Sequence, residues 1–195
     1  MNFKKSHRLL LASIPLAGVL LSASFAEAKT VAKSDVNYNY AGIQVIDQNV
    51  DRYNCSQDGL ALNGSVEVVG SFFVLGSYTD VSGNNYCGSE TISIGGGYHT
   101  AFDENLSIYG ALSFEDASVD YGRDDSGLVV AVGLRGFLNQ EIEGKVEVSH
   151  HTVFDGNTVL GAGAVYWFHP KFGATADVGL GTELSHIAVG LRVSF

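Results

Sequence analysis

The residues that could do chemistry are few. Beyond residue 28 the chain carries His99, His150, His151, His169 and His186, with Ser149 beside the histidine pair. A serine nucleophile needs a base within hydrogen-bond reach and a third group to orient that base. In an extended segment Ser149 and His150 point to opposite faces, whereas Ser149 and His151 share one and could meet. Neither a G-x-S-x-G elbow nor an H-E-x-x-H pair occurs. The run Gly95-Gly96-Gly97-Tyr98-His99 has no helix after it, so it does not read as a phosphate cradle. Glycine there suits strand curvature and close packing. No catalytic, cofactor-binding or metal-binding set emerges, and the expectation is a protein that is not an enzyme.

The cysteines suggest a scaffold rather than a reaction. Cys55 and Cys87 are the only two, in neither a C-x-x-C nor a zinc-like spacing. Residues 1–28 read as a secretory signal: a basic start (Lys4, Lys5, Arg8), an apolar stretch from Leu9 to Leu21, and Ala26-Glu27-Ala28 for cleavage. In an exported chain an even cysteine count implies a disulfide. Closing a loop of about 33 residues would contribute roughly 3–4 kcal/mol on chain-entropy grounds.

Net charge narrows the partners. The full sequence carries −10, and removing the signal takes away three basic residues and one acidic one, so the remainder is more acidic still. Such a chain is unsuited to nucleic acid. Acidic side chains collect in the expected loops, among them Asp47, Asp51, Asp58, Asp80, Asp116, Asp120, Asp124, Asp125 and Asp155. They are either a solvated surface or sites where divalent cations bridge to anionic lipid sugars.

The elements that must position these groups are strands. After Lys29 about ten residues of apolar–polar alternation, then a short polar or glycine-containing break, recur along the chain. Leu60, Leu62, Val66 and Val68 oppose Ala61, Asn63, Ser65 and Glu67. Leu128, Val130, Val132 and Leu134 oppose Val129, Ala131, Gly133 and Arg135. Outside the signal only Pro170 interrupts, in a turn, as an unbroken hydrogen-bond ladder requires. Ten strands are expected, near 36–46, 59–68, 71–80, 89–100, 106–117, 127–137, 141–151, 158–168, 172–180 and 185–195, with eight as the alternative. The segment from Val36 to Ile46 is irregular: Tyr38 and Tyr40 share one face and Ile43 and Val45 the other, which predicts a bulge or a dry interior at that end.

Which face meets water separates a soluble ligand-binding barrel from a membrane one. The polar face is mostly Gly, Ala, Ser and Thr, with a few charges of both signs: Glu67, Glu115, Arg135, Glu143, Lys145, Glu147 and Arg192. Small residues and paired charges fit a narrow lumen, and Arg135 and Glu143, symmetric about the 138–140 turn, are expected to face each other there. The apolar face carries no charge at central strand positions. Tyr38, Tyr40, Tyr78, Tyr98, Phe114, Tyr166, Phe168, Phe172 and Phe195 fall near strand ends and are expected to form interfacial girdles. The fold class is therefore all-β, an up-and-down antiparallel transmembrane β-barrel over residues 29–195, in the outer membrane of a Gram-negative bacterium.

The chain resembles small proteobacterial outer-membrane barrels with an OmpA-like transmembrane fold. More narrowly, "YNYAGIQV", "GSYTDVSG", "GGYHT", "GLRGFL", "EGKVEV", "GAVYWFHPKFG" and "VGLRVSF" resemble the quorum-signal-regulated barrel family of plant-pathogenic and opportunistic bacteria. That resemblance implies an envelope-integrity, adhesion or biofilm role, with no catalytic residues to carry over. It also implies that Leu191, Val193 and Phe195 form the C-terminal signal read by the outer-membrane assembly machinery. The expected surroundings are outer-membrane lipid and lipopolysaccharide. The expected function is structural or surface-interacting; a narrow channel for ions or small solutes is the alternative, and a lipid- or peptide-modifying enzyme the remote one.

Overall fold

A computed structural model describes residues 36–50, 55–84, 87–120 and 122–195. The expected signal segment, residues 1–28, lies outside the described residues. Ten strands follow in chain order: β1 (Tyr40–Val50), β2 (Cys55–Val69), β3 (Phe72–Gly83), β4 (Ser89–Asp103), β5 (Leu106–Val119), β6 (Asp125–Phe137), β7 (Ile142–His151), β8 (Asn157–His169), β9 (Phe172–Gly181) and β10 (Leu184–Ser194).

Each strand pairs antiparallel with its sequence neighbours, and β10 returns to β1, closing the cylinder. The seam runs unbroken from Tyr40↔Ser194 to Val50↔Leu184. Closure leaves no strand edge, the condition for crossing a bilayer where no water can satisfy free backbone groups. The eight-strand alternative is thereby set aside.

Both ends of the described chain lie at one end of the barrel, beside the turns 70–71, 104–105, 138–141 and 170–171. Gly70 supports the first of these with φ of +57°, where a side chain would be strained. Three ladder irregularities, at Glu67/Val69, Ala101/Asp103 and Trp167/His169, fall at this same turn end. The connections 152–156 and 182–183 lie at the opposite, loop end. There Cys55 and Cys87 form a disulfide across a Cα–Cα distance of 6.3 Å, tying the start of β2 to the connection before β4.

Side-chain parity follows the alternation in the sequence. Leu62, Val132 and Leu191 point outward with 46%, 55% and 57% of their surface exposed. They belong to a continuous apolar band drawn from every strand, including Ile43, Val74, Ile94, Leu112, Val148, Leu160 and Leu180. Water-soluble monomers seldom expose apolar patches beyond a few hundred Å². A band encircling the molecule needs a hydrocarbon surround.

Two expectations are corrected. The first strand begins at Tyr40, not near residue 36, and it contains no bulge: its register with both neighbours is continuous. Residues 36–39 instead turn into the lumen. Tyr38 is 3% exposed and belongs to a core with Phe73 and Tyr109, so it is not a girdle residue. Tyr40 also faces inward, where two arginines cover its ring. The remaining outward aromatics gather mostly at the turn end: Phe72, Tyr98, Tyr166, Phe168, Phe172 and Phe195.

The acidic residues form the second correction. Asp47, Asp58, Asp80 and Asp116 are not in loops but on outward strand positions near the loop end, joined by Glu90; Asp125 is the first residue of β6, and Asp51 lies outside the described residues. The strands outlast the apolar band, and these carboxylates occupy the extension.

Candidate functional site

Among the described residues, polar side chains converge in the lumen, and its contents are layered. Glycine and small residues on the inward face make room for them. At Gly133, for example, a Cβ would lie 2.6 Å from the Tyr109 ring, and at Gly97 one would clash with Phe73. The aromatic layer fits because these positions lack side chains.

Nearest the turn end, an ionic and aromatic plug fills the barrel. Glu143, only 2% exposed, accepts from Arg135 Nε and, at 3.1 Å, from Trp167 Nε1; Arg192 Nη1 stands 3.6 Å away. The Arg135 guanidinium lies 5.1 Å from the Tyr38 ring centre and 5.0 Å from that of Tyr40, while Arg192 lies 4.3 Å from Tyr40. Such contacts stabilise desolvated cations by about 2 kcal/mol each. Register pairs Arg135 with Lys145 and Phe137 with Glu143, so the Arg135–Glu143 contact is diagonal rather than directly opposite.

The segment 36–39 completes the plug. Tyr38 stacks on His99 at 4.0 Å and on Phe73 at 4.8 Å, and its hydroxyl meets Ser107 Oγ at 3.1 Å. Asn37 Nδ2 donates to Ser194 Oγ at 2.8 Å, and Phe195 N donates to Asn39 O at 3.2 Å, so the two chain ends lock together. Above this layer His99 Nε2 sits 3.2 Å from Glu67, Tyr109 donates to Glu147, and Lys145 is 3.8 Å from Glu147.

Farther toward the loop end the lumen carries fewer charges and is held by amide hydrogen bonds. Gln44 Nε2 donates to Asp177 at 2.5 Å and to Thr175 at 3.1 Å, and its Oε1 accepts from Asn63 at 2.9 Å. A small apolar layer of Ile46, Ala61, Val81 and Ala188 follows. Beside it, Glu115 and His151 are 3.1 Å apart, and His151 is 3.3 Å from Ser149.

All seven charged residues singled out from the sequence face the lumen, but they do not form one network. Arg135, Glu143 and Arg192 make one group, Lys145 and Glu147 another, Glu67 pairs with His99, and Glu115 stands near the other end with His151. Leu191 and Phe195 point outward on or just beyond β10, and Val193, of the same parity, is half-buried. The plug's aromatic members, Tyr38, Tyr109 and Trp167, were not anticipated. Trp167 was recoverable, because placing Tyr166 and Phe168 outward forces it inward. Among the described residues, no group of three or more His, Cys, Asp or Glu side chains is placed to hold a metal ion.

A closed ten-strand cylinder with an apolar belt and a charged, filled lumen defines an integral outer-membrane β-barrel. Comparison with solved structures agrees at the level of fold. An outer-membrane channel from Pseudomonas putida F1 superposes with a TM-score of 0.51 at 8% identity, over 83% of this chain and 97% of that one. The KdgM porin gives a TM-score of 0.48 at 13% identity, covering 79% and 99%. Ail, the attachment invasion locus protein of Yersinia pestis, gives 0.35 at 17% identity, covering 80% and 95%. No protein-family profile and no curated sequence matches the chain.

Proposed function

We propose that the barrel serves a structural or surface-interaction role in the outer membrane, of the envelope-integrity or adhesion kind, and does not act as an open pore. The observation that carries this reading is the plug: Glu143, Arg135, Arg192, Trp167 and Tyr38 fill the cross-section at the turn end. Barrels of about eight strands are filled by side chains, and only much larger ones hold a wide aqueous channel. Purified protein in planar bilayers should give no discrete conductance steps; reproducible open levels would replace this reading with that of a narrow channel.

The resemblance to the quorum-signal-regulated barrels supports the same role. The outward acidic rim supplies a contact to the lipid surface. Asp47 lies directly opposite Asp58, and Asp80 opposite Glu90. Like charges so placed repel unless a counter-ion intervenes. Asp47 and Asp58 also line a shallow groove of about 320 Å³ with Ser56, Gln57, Ser82, Gly83 and Asn84. Divalent cations shared between this rim and lipopolysaccharide phosphates would relieve the repulsion. Chelation should then lower the unfolding temperature of the barrel in lipopolysaccharide-containing bilayers by a few degrees, with a smaller drop for the Asp47→Asn/Asp58→Asn double variant, which keeps the Asp80/Glu90 pair. An equal response in both would discard the cation bridge.

Leu191, Val193 and Phe195 are the proposed recognition signal for assembly. Phe195→Ala should reduce folded, heat-modifiable protein in the outer membrane severalfold while leaving refolding into detergent unchanged. Equal losses in both settings would assign Phe195 to stability alone.

A further inference from the structure

Glu115, His151 and Ser149 stand in line on the lumen wall near the loop end, apart from the plug. Ser149 and His151 are two residues apart on β7. Glu115 comes from β5, with β6 between. The imidazole Nδ1 is 3.1 Å from both Glu115 oxygens, and Nε2 is 3.3 Å from Ser149 Oγ. The order of atoms matters. A carboxylate on Nδ1 fixes the proton there and leaves the Nε2 lone pair aimed at the hydroxyl, the arrangement that lets imidazole act as a base toward serine. A merely space-filling polar contact has no need of that order.

The surroundings support a site that ligand can reach. Ser149 and Glu115 are buried, but the His151 side chain is 28% exposed. The plug lies toward the opposite end, so the site requires a ligand to enter from the loop end. Val129 on β6 and Asn157 on β8 are the register neighbours of His151, and Ala131 and Val159 are those of Ser149, so the flank is apolar beside the serine and mixed beside the histidine. The loop that leaves His151 holds Phe154 at φ +49° and Asp155 at φ +72°. Non-glycine residues in this region cost of order 1–3 kcal/mol each and cluster at functional sites.

We propose that Ser149, His151 and Glu115 form an acyl-transfer site for carboxylic esters with a small acyl group. This goes beyond the structural role and does not require it. Ser149 Oγ attacks the ester carbonyl carbon as its proton passes to His151 Nε2. The bond to the alkoxy group breaks, and the departing alkoxide takes that proton from the imidazolium. Water, deprotonated by His151, then attacks the acyl-serine, releasing the carboxylic acid and restoring the hydroxyl. Glu115 stays ionised and holds the ring.

The test uses the refolded full barrel, with folding of every variant checked by heat-modifiable migration. A fluorophosphonate probe should attach to Ser149, located by peptide mass spectrometry. It should fail on Ser149→Ala and react ~100-fold more slowly with folded His151→Gln, the scale of general-base assistance. p-Nitrophenyl acetate hydrolysis should fall in parallel in both variants and in Glu115→Gln. Absence of label on Ser149 in the folded wild-type barrel would overturn the proposal. So would equal labelling rates for wild type and folded His151→Gln, which would leave a polar contact without base catalysis.

Discussion

Replacing Glu143 with glutamine should destabilise the barrel by about 3–5 kcal/mol, the penalty for removing one side of a buried ion pair. Glutamine keeps the length of the side chain and an oxygen for Trp167 Nε1. It removes the carboxylate that contacts both Arg135 and Arg192, whose side chains are 5% and 11% exposed. Arg192 Nε already has no hydrogen-bond partner among the described residues. Two guanidiniums would then share the low-dielectric plug, with the faces of Tyr38 and Tyr40 and the more distant Asp177 carboxylate left to offset them. Urea unfolding in lipid or detergent, followed by the heat-modifiable band, reads the change. The matched control is Glu67→Gln, since Glu67 is about a third exposed beside His99 and should lose no more than about 1 kcal/mol. Equal, small effects at both positions would mean that water, not Glu143, solvates the arginines.

Val132→Arg should cost about 2–4 kcal/mol, the figure for a cation facing lipid near the bilayer midplane. Val132 lies mid-strand on β6 and points out of the barrel between Gly110 and Val148 in register. The comparison is Asp116→Arg, on the acidic rim of β5, where the cost should be about 0–1 kcal/mol because interfacial positions remain hydrated. If Val132→Arg were as harmless as Asp116→Arg, the apolar band would be facing water and the membrane reading would fail.

Period-two alternation carries information about sidedness and little about what lies across the lumen. Leu62, Val132 and Leu191 read outward correctly because one apolar face per strand leaves no other assignment, whereas the strand of Tyr166 could face either way and the outward choice for that residue agrees with the structure. Tyr38 and Tyr40 misled because an aromatic ring satisfies both a lipid interface and a plug. The choice depends on His99, Phe73 and Arg135, which approach from distant strands. Asp47, Asp58 and Asp80 read as loop residues because charge is excluded from a lipid-facing strand; nothing in the alternation says where the membrane stops and the strand goes on. Ser149 and His151 could be paired from spacing alone. Glu115, 36 residues from His151, joins them only when β5 and β7 curve around the same lumen.

The β1–β10 seam also dictates how the molecule can come into being. Its eleven residue pairs unite the first and last strands, so the most sequence-distant contacts are the ones that remove both free edges. A chain truncated before residue 184 would offer two sticky borders, each able to recruit a strand from another copy. Completion is therefore all-or-none, and half-finished sheets should be found aggregated or degraded rather than resident in the bilayer.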